Sequence, residues 1–119
     1  MSAGRANEEK TARWKEEEAA REVARKNLEH GRELDAETNI TLLIEEMSEL
    51  TKALCKARRF DLEDPTLAID EDEIIVNIIE ELADVTLMID RIIYVMGVGR
   101  DVMMTRAEKV ERTEMRLKE

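Results

Sequence analysis

An all-α fold, arranged as a compact four-helix bundle, is what the sequence predicts, and three observations carry that prediction. The 119 residues include one Pro and four Gly, so the residues that interrupt helices are scarce. Only 3% of the chain is aromatic although 43% is hydrophobic, which implies an aliphatic core of Leu, Ile, Val, Ala and Met. Apolar residues recur at steps of three and four, the spacing of one face of a helix. At this length one domain is expected over residues 1–119, with a charged N-terminal helix in 1–35 and a core in 36–119.

The first helix is expected from about Asn7 to His30, where Ala, Glu, Lys and Arg dominate and Ala12, Ala19, Ala20, Val23, Ala24 and Leu28 form a weak apolar stripe. Gly31 reads as its stop, and Trp14 as an amphipathic side chain lying over the bundle. The second helix begins after a cap at Asp35 or Thr38 and runs to about Arg59. Its residues Leu43, Met47, Leu50 and Leu54 keep the helical period, and Lys56, Arg58 and Arg59 complement the negative helix end. "FDLEDPTLAID", with Pro65, is a connector with room for one helical turn. The third helix starts among Asp70, Glu71, Asp72 and Glu73, whose carboxylates favour a helix N-terminus. It is apolar on nearly every face from Ile74 to Met96, which predicts a central, buried position. "GVG" at 97–99 stops it, and a fourth helix is expected from about Asp101 to Lys118. So much apolar surface on a small chain also predicts a homo-oligomer, a dimer or tetramer.

Composition narrows the function classes. The net charge of −10 and pI near 4.7 argue against nucleic acid as a partner, which calls for a basic face. The eleven acidic residues between Asp61 and Asp90 stand without a basic one, and the remainder of the chain sums to about neutral. No apolar run reaches the ~18 residues of a membrane span, and the polar start lacks the apolar segment of a signal peptide. No membrane partner and a cytoplasmic location are the expectations. Cys55 has no second cysteine to pair with and reads as a small buried thiol, and the methionines Met47, Met88, Met96, Met103 and Met104 read as core filler.

Glu81 and Asp84 fall in "NIIEELADVTLMIDRII", a run otherwise filled mainly with Ile, Leu, Val and Met. Carboxylates are rarely buried unless they are paired or bind metal. Asn77, Glu81 and Asp84, spaced by four and three, share one helix face, with Glu80 beside it. On the second helix "IEEMSEL" puts Glu46 and Glu49 three apart, with Glu45 alongside. If the two helices pack, four carboxylates converge, and like charges crowded together need a cation or a proton. Zinc lacks a Cys/His set, His30 lies outside either acidic pair, and a di-iron site would need Glu-x-x-His motifs that the sequence lacks. Mg²⁺, with Mn²⁺ as a substitute, suits an all-oxygen site.

"EEMSEL" followed by "EELADV" resembles the paired Glu-x-x-Glu and Glu-x-x-Asp motifs of the MazG-like all-α nucleoside triphosphate pyrophosphohydrolases. "KVERTEMR" is similar to the tail of that family, a Lys, a polar residue four later and an Arg three beyond. The resemblance covers about Leu42 to Arg116. Thr113 stands where the family often has Asn, and 31 residues separate Glu49 from Glu81. The resemblance implies that Glu46, Glu49, Glu81 and Asp84 are the metal ligands and catalytic carboxylates, and that Lys109 and Arg116 contact substrate phosphates. Lys52 is a further phosphate candidate on the second helix. It also implies Mg²⁺-dependent cleavage of an NTP or dNTP between the α and β phosphates, giving a monophosphate and pyrophosphate. Two alternatives stay open: a non-catalytic acidic helical interaction protein, and a related hydrolase acting on phosphoribosyl-ATP or a nucleoside diphosphate.

Overall fold

The computed structural model describes residues 3–65 and 70–119; Thr66 to Ile69, in the expected connector turn, lie outside the described residues. All regular structure among the described residues is helical: α1 (Ala3–Arg32), α2 (Ala36–Asp61), α3 (Glu71–Met96) and α4 (Gly99–Lys118). Local chemistry fixes the ends. Asp35 caps α2 by accepting from the Thr38 amide at 2.7 Å, and Asp70 caps α3 by accepting from the Glu73 amide at 2.9 Å, each satisfying an amide the helix leaves free. Gly97 ends α3 in the left-handed region at φ +66°, its amide bonding Tyr94 O and the next amide bonding Ile93 O, the double hydrogen bond of a Schellman turn.

Gly31 does not stop α1, which continues to Arg32. It is buried because α3 comes close: a Cβ at this position would lie 2.8 Å from Cγ of Arg91. The same corner is tied by polar contacts. Asn27 donates to Leu87 O at 3.0 Å and accepts from Arg91 Nε at 2.8 Å, while Asn39, 1% exposed, donates to Gly31 O at 2.8 Å. Buried amides need such partners, and these knit the end of α1, the start of α2 and the last turns of α3.

α3 is the hub, packed most extensively on α2, then on α1, and on α4 only sparsely. The α2–α3 seam follows a seven-residue repeat. Asn39, Leu43, Glu46, Leu50, Ala53 and Ala57 on α2 and Ile74, Ile78, Glu81, Val85, Met88 and Ile92 on α3 keep that spacing, all buried or half-buried. Each helix also carries a second row at the same spacing that nothing covers: Ile40, Ile44, Met47 and Leu54 on α2, and Ile75, Ile79, Leu82 and Ile89 on α3, every one exposed. α3 is therefore central, as expected, but buried on only part of its circumference.

The helices do not close into the compact bundle predicted. The radius of gyration is 19.6 Å, against about 13–14 Å for a compact domain of this length, and the accessible surface is 9851 Å², against about 6600 Å² for a compact monomer of this mass. The core is correspondingly thin: Ala53, Ile74 and Val85 are its fully buried apolar side chains among the described residues. Several sequence expectations change for that reason. Trp14 lies exposed, not over a bundle, because the first two-thirds of α1 packs on nothing; Met47, Met96, Met103 and Met104 are exposed instead of filling a core. Cys55 is exposed as well, lying outside both seams of α2.

Candidate metal centre

Packing α2 on α3 brings three of the four predicted carboxylates together. Glu46 and Glu81 each occupy a place in the inner seam where the repeat calls for an apolar residue, and Asp84 lies three residues after Glu81 at its edge. One carboxylate oxygen from each of Glu46, Glu81 and Asp84 lies within 4.8 Å of the other two. Glu46 and Glu81 are half-buried and Asp84 is exposed. The group is thus walled by the seam on one side and open to solvent on the other.

Its electrostatics are unrelieved. Desolvation in the seam, the Asp84 and Glu81 charges, a hydrogen bond with Asp84 that favours the protonated form of Glu46, and the Glu49 charge together raise the Glu46 pKa above the ordinary 4.5. Oε2 of Glu81 is buried with no hydrogen-bond partner, a costly state for an acceptor. No Lys, Arg or His forms an ion pair with any of the three among the described residues. Arg91, the one basic residue of α3, is engaged with Asn27 and contacts Met88 Sδ at 3.7 Å.

Glu49 is not drawn into this group. Its Oε1 accepts from Lys52 Nζ at 3.2 Å on the exposed side of α2, so the two residues predicted to serve metal and phosphate pair with one another. Asn77 is half-buried one turn before Glu81 and lines a separate shallow concavity with Asp70, Asp72, Glu73 and Val76. Lys109 and Arg116 are on α4, where with Arg112 and Thr113 they line an open concavity of about 290 Å³. None of them forms an ion pair among the described residues, and α4 does not carry them back onto the carboxylates of its own chain. Sequence reading passed over Arg112, although it lies three residues from Lys109 and four from Arg116 and so joins the same helix face.

A set of three acidic oxygens, one of them orphaned and none countered by a base, fits a hard divalent cation such as Mg²⁺, which takes oxygen ligands and keeps several waters. Thiolate or imidazole ligands are absent from the group. Comparison with protein-family models, with curated proteins and with solved structures gives no match for this chain.

Proposed function

We propose that this protein is a Mg²⁺-dependent nucleotide pyrophosphohydrolase of the MazG-like kind, cleaving an NTP or dNTP between the α and β phosphates. The observation that carries the reading is the convergence of Glu46, Glu81 and Asp84 within 4.8 Å, with Glu81 Oε2 left without a partner. The motif resemblance of "EEMSEL", "EELADV" and "KVERTEMR" supplies the reaction class. Glu46, Glu81 and Asp84 would hold the metal, with Glu49 reaching the group once its contact to Lys52 is released. Bound there, Mg²⁺ supplies charge neutralisation of the triphosphate and a more acidic water.

The remaining work falls to the chain's own groups. Lys109 and Arg116 would bind phosphate oxygens and stabilise charge on the leaving pyrophosphate. The exposed second rows of α2 and α3 support self-association, since such seams are covered in helical assemblies. No helix among the described residues is long and apolar enough to cross a membrane, and a nucleotide-metabolising role fits a cytoplasmic enzyme.

Pyrophosphate release from a panel of canonical and modified NTPs and dNTPs, in Mg²⁺, in Mn²⁺ and in EDTA, tests the reading. Metal-dependent release with an equal yield of monophosphate is the expected result, and Glu81→Gln should lower it roughly 100-fold or more because a metal ligand is lost. Turnover of no nucleotide by the folded, oligomeric protein would overturn it.

A further inference from the structure

Between α1 and the end of α3, where the chain turns into α4, the packing leaves a cavity of about 530 Å³. Ala24 and Leu28 of α1 and Ile93 and Tyr94 of α3 make its walls, which are mainly apolar. Volume and lining match those of small-molecule sites, which are concave, largely apolar and carry few polar groups. None of the lining residues belongs to the uncovered rows of α2 and α3.

Two glycines keep this corner open, and the backbone accounts for one of them. Gly97 has the left-handed φ that ends α3. Gly99 does not: its φ lies outside that region, it is the first residue of α4, and a Cβ there would meet only Ile93 Cγ2 at an ordinary 3.7 Å. Glycine is a poor helix former, and no neighbouring atom excludes a side chain at this position. What its missing side chain leaves is space over Ile93.

The chemistry of the lining selects the occupant. Asp90 is the one charged side chain on it, and no Lys, Arg or His forms an ion pair with Asp90 among the described residues. Tyr94, one turn further along the same face and 45% exposed, sets an aromatic ring beside the carboxylate. An aromatic face attracts positive charge, a carboxylate pairs with it, and apolar walls take up a carbon body. Phosphates and carboxylates are disfavoured, because the lining offers them no base. The corner is thereby set apart from the acidic centre, and Asp90 also stands about 9 Å along α3 and about a third of a turn round it from Asp84.

We propose that this corner is a binding site for a small organic cation, a protonated or quaternary amine on an aromatic or branched apolar body, held by the Asp90 carboxylate and the Tyr94 ring. The cation bridges α1 to the turn from which α4 departs. This site stands independently of the pyrophosphohydrolase reading, since it shares no residue with the carboxylate group.

Three naphthalene probes of similar shape and different charge test it: naphthylmethylammonium, naphthylmethanol and naphthylacetate, each titrated into the isotope-labelled full chain and followed by NMR. The ammonium should shift the Ile93 methyl, Tyr94 ring and Gly99 amide signals saturably. The alcohol should bind at the same place roughly tenfold more weakly, lacking the charge-assisted contact, and the acetate should not bind. Asp90→Asn should lower the affinity for the ammonium to that for the alcohol and leave the alcohol unchanged. Ala24→Phe, which fills the cavity from α1 without altering Asp90, should abolish binding of both. Equal affinity for the three probes, ammonium binding that Asp90→Asn does not weaken, or no saturable shift of the lining signals up to millimolar probe would each overturn the proposal. Shifts confined to Glu46, Glu81 and Asp84 would overturn it as well, by placing the cation at the acidic centre.

Discussion

Glu46 is where burial and like charge meet, and it adds its own pH dependence to the stability of the fold. Its folded pKa lies above the ordinary 4.5, so the folded state binds this proton more tightly than the unfolded chain does. The stability it contributes is complete below pH 4.5 and is lost as pH rises through the raised value. Glu46→Gln should therefore raise the melting temperature relative to wild type by an amount that grows from pH 4.5 to neutrality in EDTA, and Mg²⁺ should close the gap by stabilising wild type alone. A pH-independent difference would remove Glu46 from the crowded group. Asp84→Asn relieves the same repulsion: the fold should persist or melt slightly higher in EDTA, while the Mg²⁺-induced rise in melting temperature disappears. Glu81 and Asp84 are legible in the sequence because acids in an apolar run advertise an unmet need. The Asn27–Arg91 contact is not, since it joins residues 64 positions apart: Arg91 stands out as the one basic residue of α3, but nothing in the spacing points it to Asn27. Nor does spacing reveal that Glu49 turns to Lys52, because Glu46 and Glu49 share a face at three residues whichever way each side chain leans.

Helix ends show how far local chemistry reaches. Residue type narrows the α2 cap to Asp35 or Thr38 and the α3 start to the acids 70–73, and the hydrogen bonds to the Thr38 and Glu73 amides select Asp35 and Asp70; the Asp35 carboxyl is held below its usual value by hydrogen bonds from Thr38, the charged acceptor being favoured. Gly31 misleads for an instructive reason. Glycine serves both as a helix stop and as a place where a neighbouring side chain can come close, and only the approach of Arg91 decides between them. Gly31→Ala should cost roughly 1–3 kcal/mol, since it drives a Cβ into a side chain that Asn27 already fixes. Gly97→Ala should cost about 1 kcal/mol through its left-handed backbone alone, there being no atom nearby for the new Cβ to meet. Urea midpoints of the two variants, with unchanged slopes, check both figures; equal and negligible shifts would mean that the α1–α3 corner is looser than its contacts indicate.

The assembled chain has more apolar surface than it covers, and this is half legible. Sequence periodicity reveals helices with greasy faces, but one chain of 119 residues can read identically whether those faces meet each other or a neighbour's. Replacing Ile79 and Leu82, two members of the uncovered α3 row, with Arg should lower the mass seen in sedimentation to that of one chain, with reduced helicity; an unchanged mass would place the contact elsewhere. The free part of α1 obeys different rules. Among the described residues of its first two-thirds nothing packs, and what lines its flanks are short-range ion pairs: Arg5 with Glu9, and Arg21 with both Glu17 and Glu18. Farther along, Arg25 bridges Glu22 and Glu29. Such pairs are strong only while counterions are dilute, because the screening length shrinks from about 10 Å at 0.1 M salt to about 3 Å at 1 M. This arm should then fray as ionic strength climbs while the seam between α2 and α3, held by apolar contact, tightens, so that one added solute loosens one end of the protein and firms the other.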